Sequence, residues 1–331
     1  MLDLKKTMLC GAVLAAAFAS APAQAWEPTK PLEIVVAAGA GGASDQMARM
    51  LQAAIQKNKL LKVPVVVTLK GAASGAEALN YMKENAGEPD KVVIAYSLIY
   101  TLPLAVKLPF NWRDLTPVAI VAFDDFILWT NSEEPYKTVS EFVAGAKAAN
   151  PSFSVGGTGS KCEDRMLTVC REKKTGVKVK YLPYKSGGEA ATQLVGGHIK
   201  ANMNNPSESI EQWRAGQLNA LCVFDSEKIP YKNKVTPTQS WNDVPTCKSQ
   251  GLDVEYTMLR GMFLPGKVSA DAQAFYVDLF KKITETPEYK EYMEKQALKP
   301  AFLTGKAMTD FLEKDEKLHT ELMTEAGFVA K

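Results

Sequence analysis

The pattern that most constrains this chain is a short β-branched run, then a glycine-rich turn, then an apolar stripe at helical spacing. It first occurs at Ile34, Val35 and Val36, followed by Gly39, Gly41 and Gly42, and then by Met47, Met50, Leu51 and Ala54. The run reads as a buried strand. The i, i+3, i+4, i+7 stripe reads as an amphipathic helix opened at Ala43 or Ser44. Glycines have no Cβ and reach positive φ, so a ligand can approach the backbone of this turn. The first N–H groups of the helix and the positive end of its dipole face the turn, which makes an anion site without a basic side chain. A tight βα turn that uses its glycines only for packing would leave the same pattern.

The device recurs. Residues 63–69 read as a strand, and Gly71-Ala72-Ala73-Ser74-Gly75 as a second turn before a helix. Residues 92–96 form a third strand with Ser97 at its end. A β-α-β-α-β order implies a parallel sheet with right-handed crossovers, and such sheets bind ligands at the carboxyl ends of their strands, where these turns fall. A second series begins with a strand at 153–155 and the turn Gly156-Gly157-Thr158-Gly159-Ser160 before a helix at Lys161. A strand at 177–182 precedes Tyr184-Lys185-Ser186-Gly187-Gly188, which opens a helix over 189–195. Strands follow at 199–204, ending in Asn204-Asn205-Pro206-Ser207, and at 218–224. The chain is therefore expected to be α/β with two lobes, each a mostly parallel sheet flanked by helices, with glycine turns facing each other across a cleft. Residues 126–131 and 258–264 are extended and are expected to pair as a connector between the lobes. Helices over 270–284, 287–296 and 309–326 complete the chain.

The first residues read as an export signal, with Lys5 and Lys6, an apolar stretch over 10–18 and the small-x-small site Ala23-Gln24-Ala25, so a mature chain is expected to begin at Trp26. The apolar stretch is too short to span a bilayer. Lys and Arg number 39 against 37 Asp and Glu. That near-neutral balance gives no reason to invoke nucleic acid or a charged membrane surface. The length suits two domains of ordinary size. Past the leader the cysteines are Cys162, Cys170, Cys222 and Cys247. Cys162 and Cys170 fall in one expected helix, where eight residues separate them by roughly 12 Å, beyond disulfide reach. The better pair is Cys222–Cys247.

Catalytic readings find little support. Gly39-x-Gly41-x-x-Ser44 resembles a degenerate dinucleotide fingerprint, but the following strand ends in Lys70 and not in an acid that could hold a ribose. His198 and His319, the two histidines, read as a solvent-facing turn and an ordinary polar helix face. There is no Gly-x-Ser-x-Gly, no His-Glu-x-x-His and no Cys-x-x-Cys. Asp124-Asp125 reads as hinge or loop solvation, and Arg49 as an ion pair with Asp45. Lys161 and Lys185 sit at helix starts beside glycines, where a cation opposes the dipole. A bound carboxylate would offset that cost; a solvated surface lysine is the alternative.

Together these residues resemble a known family. The mature start Trp26-Glu27-Pro28-Thr29-Lys30-Pro31 and the turn from Ala38 to Asp45 carry the resemblance, as do Gly71-Ala72-Ala73-Ser74-Gly75-Ala76-Glu77-Ala78 and Tyr184-Lys185-Ser186-Gly187-Gly188. Asn205-Pro206-Ser207, Arg214-Ala215-Gly216-Gln217-Leu218, Val244-Pro245-Thr246 and Met262-Phe263-Leu264-Pro265-Gly266 complete it. The chain is similar to the extracytoplasmic solute-binding proteins of tripartite tricarboxylate transporters, the Bug or TctC family. The resemblance covers essentially the whole mature chain, although the first turn lacks the family's prolines. It implies a type II-like, two-lobed periplasmic binding protein that closes on a small carboxylate: a di- or tricarboxylate or an aromatic acid. It implies delivery to a membrane permease of a large and a small subunit, with no cofactor, no catalysis and a monomeric state. An exported enzyme of the same fold acting on a carboxylate is the alternative. The ligand contacts implied in the first lobe are Ala38, Gly39, Gly41, Gly42, Ala43, Ser44 and Ser97. Those in the second are Ser160, Lys161, Lys185, Ser186, Gly187 and Asn204. The expected division is 1–25 leader, 26–125 first lobe with 265–331 packed back on it, and 126–264 second lobe with the hinge strands.

Overall fold

In a computed structural model, residues 26–150 and 152–330 are described. The expected leader and its cleavage site lie outside the described residues. The chain opens with β1 (Leu32–Val36), α1 (Ala43–Lys57), β2 (Val65–Leu69), α2 (Ala76–Glu84), β3 (Lys91–Ala95) and α3 (Leu98–Val106), then the long strand β4 (Leu115–Asp125). Next come β5 (Ile127–Asn131), α4 (Val139–Ala148), β6 (Ser154–Thr158), α5 (Glu163–Thr175) and β7 (Lys180–Tyr184). They are followed by α6 (Gly187–Val195), β8 (Ala201–Asn204), α7 (Pro206–Arg214) and β9 (Leu218–Val223). The last elements are β10 (Thr257–Pro265), α8 (Ala270–Glu285), α9 (Pro287–Gln296), β11 (Lys299–Leu303) and α10 (Gly305–Glu325).

Two sheets form two lobes. The first has the order β11-β4-β10-β3-β1-β2 and the second β7-β6-β8-β5-β9. Both are mixed, which corrects the expectation of mostly parallel sheets. β1 pairs parallel with β2 and β3, and β6 with β7 and β8, but the strands near the crossover pair antiparallel. Alternation along the strands builds a core on each face of each sheet. Ile34 and Val36 pack with Met47, Leu51 and Phe280, while Val35 and Ala37 pack with Leu79, Ile99 and Met308. In the second lobe Leu128 joins Phe142 and Leu167, while Ile127 and Trp129 join Leu194, Trp213 and Trp241.

The expected pairing of residues 126–131 with 258–264 does not form. β10 lies between β4 and β3 in the first sheet, and β5 lies between β8 and β9 in the second. All five residues of β5 and eight of the nine in β10 are buried, so each strand needs neighbours and cover of its own. The chain instead crosses between lobes at single points. Phe126 joins β4 to β5, and Tyr256 leads into β10. Phe224 N–H donates to the Phe126 carbonyl at 2.9 Å and Tyr256 N–H to the Phe224 carbonyl at 2.7 Å, so the crossings lie side by side.

Cys222 and Cys247 form a disulfide, as expected, while Cys162 and Cys170 are free thiols. The bridge closes a loop of 25 residues and contributes about 3 kcal/mol by restricting the unfolded chain. α10 starts on the first lobe, where Met308 and Leu312 pack beside Ile99. Its far end reaches the second: Met323 is part of that lobe's core, and Leu322 and Phe328 pack against it. No described helix is long and apolar enough to cross a membrane.

Candidate functional site

The turn from Ala38 to Ser44 and the turn from Lys185 to Gly188 meet at a cleft between the lobes, whereas Gly71–Gly75 lines neither of its hollows. Two adjoining hollows of about 350 and 670 Å³ share Gly42, Ala43, Ser186, Ser207 and Glu208 on their walls. The wall of the first lobe is built on α1. Gly42 is its N-cap and offers no side-chain cap. The first intrahelical bond runs from Gln46 N–H to the Gly42 carbonyl. The amides of Ala43, Ser44 and Asp45 therefore have no acceptor among the described residues, as expected at a helix start. Gly41 N–H is taken by Asp45 Oδ2 at 2.7 Å, and Asp45 also pairs with Arg49 at 3.0 Å, as the i, i+4 spacing predicts.

Behind this turn stands a cation that sequence reasoning missed. Arg260, on β10, is buried. It donates from Nη1 to Ser44 Oγ at 3.2 Å and from Nη2 to Asp124 Oδ2. Asp124 and Asp125 are buried as well, which corrects their reading as hinge solvation. They end β4, where Asp124 neutralises Arg260 and Asp125 faces Lys299 at 3.8 Å. A lone arginine inside the apolar run from Met258 to Leu264 was the available signal, since a buried cation demands an anionic partner.

The wall of the second lobe has the same architecture and the opposite charge. Glu163 and Asp164 lie in the first turn of α5, and Glu208 in the first turn of α7. All three line the smaller hollow, with Thr158, Cys162, Lys185 and Asn205. Asp164 accepts from Thr158 N–H at 2.6 Å through Oδ2. Glu208 seats its carboxylate beside Gly187, at the N-terminus of α6, where a Cβ on Gly187 would collide with Glu208 Oε2 and Asn204 Oδ1. Burial, then the charge of Glu208, pushes the Asp164 carboxyl well above the ordinary range. Burial, then the charge of Asp124, pushes Glu208 up to about 7.

Of the residues expected to meet a ligand, Ala38, Gly42, Ala43, Ser44, Lys185 and Ser186 line the smaller hollow, and Gly39 and Gly41 the larger. The others stand apart. Ser97 is fully buried behind Tyr96 and donates its hydroxyl to Glu163 Oε1. Ser160 is exposed outside the cleft. Lys161 is also exposed and turns toward the chain end, donating to the Phe328 carbonyl at 3.3 Å. Gly187 and Asn204 lie beneath the wall, where Asn204 Nδ2 donates to the Gly187 carbonyl at 2.9 Å. His198 is exposed, as expected. His319 is not on a polar face: it is fully buried, 2.8 Å from the Tyr256 hydroxyl and 3.3 Å from Asp315 Oδ1. Among the described residues no three or more His, Cys, Asp or Glu converge as metal ligands.

The family model for the tripartite tricarboxylate transporter family receptor, TctC, matches residues 47–328. The chain belongs to this family. The match runs from α1 through both lobes to the end of α10 and so includes every strand after β1. A Cupriavidus necator protein, "UPF0065 protein in gbd 5'region", is 27% identical over 329 residues, 96% of this chain and 95% of its own. The crystal structure of a TctC solute-binding protein from Polaromonas superposes with a TM-score of 0.74 at 25% identity, covering 90% of this chain and 99% of that one. An R. palustris protein solved with adipate has a TM-score of 0.77 at 18% identity over 91% of this chain and 98% of its own, a likeness of fold. The receptors of this family are periplasmic solute-binding proteins.

Proposed function

We propose that this TctC-family protein is exported, with cleavage after Ala25, and binds a small organic carboxylate between its lobes. It then presents that acid to a two-subunit tripartite tricarboxylate permease and performs no catalysis on it. One observation carries the reading: the amides of Ala43, Ser44 and Asp45 at the start of α1 lack acceptors and open on the inter-lobe hollow, while the turn's own carboxylate, Asp45, is engaged by the Gly41 amide and Arg49. An anion there meets aligned N–H donors and the positive end of a 15-residue helix. The Arg260 guanidinium, already paired, holds Ser44 in place and does not compete for that anion. The adipate-bound relative of the same fold supports a carboxylic acid as ligand.

The reading is tested by titration calorimetry of the mature protein with straight-chain acids and their amides. At least one carboxylate should bind, and its amide should bind more weakly by a factor of about 10 or more, since an amide NH₂ set against an N–H donor leaves both unsatisfied. Equal affinity of acid and amide would remove the anion site at α1.

A further inference from the structure

A buried chain of polar side chains runs through the crossings, from the cleft to a separate hollow. At its centre is His319 of α10, fully buried. Its Nδ1 stands 2.8 Å from the Asp315 carbonyl and its Nε2 stands 2.8 Å from the Tyr256 hydroxyl. A carbonyl oxygen only accepts, so Nδ1 carries the proton, and Nε2 of the neutral ring accepts from Tyr256. The Tyr256 hydroxyl also faces Ser97, which follows β3 in the first lobe. Ser97 donates to Oε1 of Glu163, which starts α5 in the second lobe and lines the smaller hollow of the cleft. At the other end Tyr256 and Asp315 line a hollow of about 220 Å³, a route for protons to and from solvent. Asp315 Oδ1 lies 3.3 Å from the ring, and its Oδ2 is buried with no hydrogen-bond partner among the described residues. That carboxylate is placed to balance a charge on His319. The other groups around the ring are Tyr100 from α3, Tyr256 ahead of β10 and Glu163 from α5, and Cys170 of α5 faces Tyr256. Burial alone would lower the imidazole; the hydrogen bond and charge of Asp315 outweigh it and hold His319 above its ordinary value.

We propose that His319 is a proton-operated latch between the two lobes, acting through Tyr256 and Ser97 on Glu163. When Nε2 takes a proton it becomes a donor to Tyr256, which must then turn its own O–H to another acceptor. Ser97 Oγ is the acceptor on the cleft side. With Tyr256 as its donor, Ser97 commits its own hydrogen to Glu163. When His319 is neutral, Ser97 is free to donate to Tyr256 instead, and its contact with Glu163 loosens. The proton thus sets the direction of the whole chain, whose bonds reinforce one another when they point the same way. The Ser97–Glu163 bond spans the lobes and breaks when they part. The closed form is therefore favoured below the titration of His319 and loosened above it. His319 lines neither hollow of the cleft, so the proton governs closure without occupying the place of a captured molecule.

The test uses the ligand-free mature protein carrying His198→Gln, an exposed position, so that His319 is the one histidine to read. Nitrogen-15 NMR of the imidazole should show a proton on Nδ1 and a bare Nε2 at high pH, with a titration midpoint above 6.5. Small-angle scattering over the same pH series should give a smaller radius of gyration below that midpoint than above it. Ser97→Ala should abolish the change in radius while His319 still titrates. It leaves in place Asp125 and Glu208, whose carboxyls burial pushes up to about 7, so their contribution would persist in that variant. Tyr256→Phe cuts the same chain one bond earlier, keeps the ring packing, and should lose the response as well. A proton on Nε2 of the neutral ring, or a ring that does not titrate, would overturn the latch. So would a radius that stays constant while His319 titrates, or one that changes equally in Ser97→Ala or Tyr256→Phe.

Discussion

The two lobes use one backbone device to opposite ends. In each, a strand runs into a glycine turn and a helix starts at the cleft. At α1 the turn's own carboxylate, Asp45, is drawn back to the Gly41 amide and to Arg49, and the amides of Ala43, Ser44 and Asp45 stay without acceptors among the described residues. At α5 and α6 the equivalent positions are occupied from within, by Asp164 and by Glu208. A helix N-terminus is thus an anion site only where the neighbouring sequence leaves it vacant. The motif sets the donors, and side chains from other elements decide whether those donors face the ligand or the protein.

The contrast can be broken from either side. The largest effect should come from Arg260→Met, which leaves the Asp124 charge buried without its partner. We expect a loss of about 3–5 kcal/mol in stability, seen as a lower midpoint in denaturant unfolding. Arg260→Met combined with Asp124→Leu should recover most of that loss, because the pair is removed together. An unaltered midpoint in the single variant would show that the ion pair does not hold the first wall.

The buried acids on both sides of the crossover should appear in the pH dependence of the ligand-free protein. Burial pushes the carboxyls of Asp125, at the end of β4, and of Glu208, in α7, up to about 7 from ordinary values of 3.8 and 4.5. A raised carboxyl stabilises the fold fully below its unfolded value and loses that contribution as the pH climbs through its folded value. The melting temperature should therefore fall steadily as the pH rises from about 4 to above 7. Glu208→Gln should flatten that profile, as thermal melts across a pH series would show; an identical slope would deny Glu208 its buried setting.

Gly187→Ala sharpens the comparison at one atom. Its Cβ would displace Glu208 or Asn204, at a cost of about 1–3 kcal/mol, and would empty the α6 start of its internal carboxylate. Denaturant melts read the cost, and amide exchange at Gly188 and Glu189 would report the change. The smallest effects belong to two residues with clear sequence signals. Ser44→Ala should weaken ligand binding by about 1 kcal/mol, the worth of one neutral hydrogen bond. Lys161→Ala should change neither binding nor stability by more than about 0.5 kcal/mol, being exposed and turned from the cleft. A tenfold loss of affinity in Lys161→Ala would restore it to the site.

How much of this was legible in the sequence follows from which signals are local. The run from Ile34 to Val36, the glycines after it and the stripe along α1 lie within a few turns of one another, so strand, turn and helix can be read together. The Cys222–Cys247 pair was legible because helical spacing argues against Cys162–Cys170. β4 was missed because Pro117 interrupts its run, and only long-range partners, β10 and β11, make it a strand. α3 was missed because it carries Pro103 and has no side-chain cap. The acidic wall joins Glu163 and Asp164 to Glu208, more than forty positions along the chain, and no spacing rule connects them. Arg260 drew no reading and His319 was read as an ordinary polar helix face, since tertiary packing alone decides whether a polar residue meets water.

The crossing points have a mechanical consequence. Phe126 and Tyr256 carry the covalent chain between lobes, and their rings meet edge to face with centroids 5.5 Å apart. Tyr256 in turn touches His319 of α10, the helix rooted in one lobe whose far end is embedded in the other. Beside them Tyr231 Oη donates to the Leu298 carbonyl at 2.6 Å, Lys299 pairs with Asp225, and Asn205 Nδ2 donates to the Asp125 carbonyl at 3.0 Å. The links between the lobes are thus gathered at the crossings, and any opening of the cleft would turn about that seam.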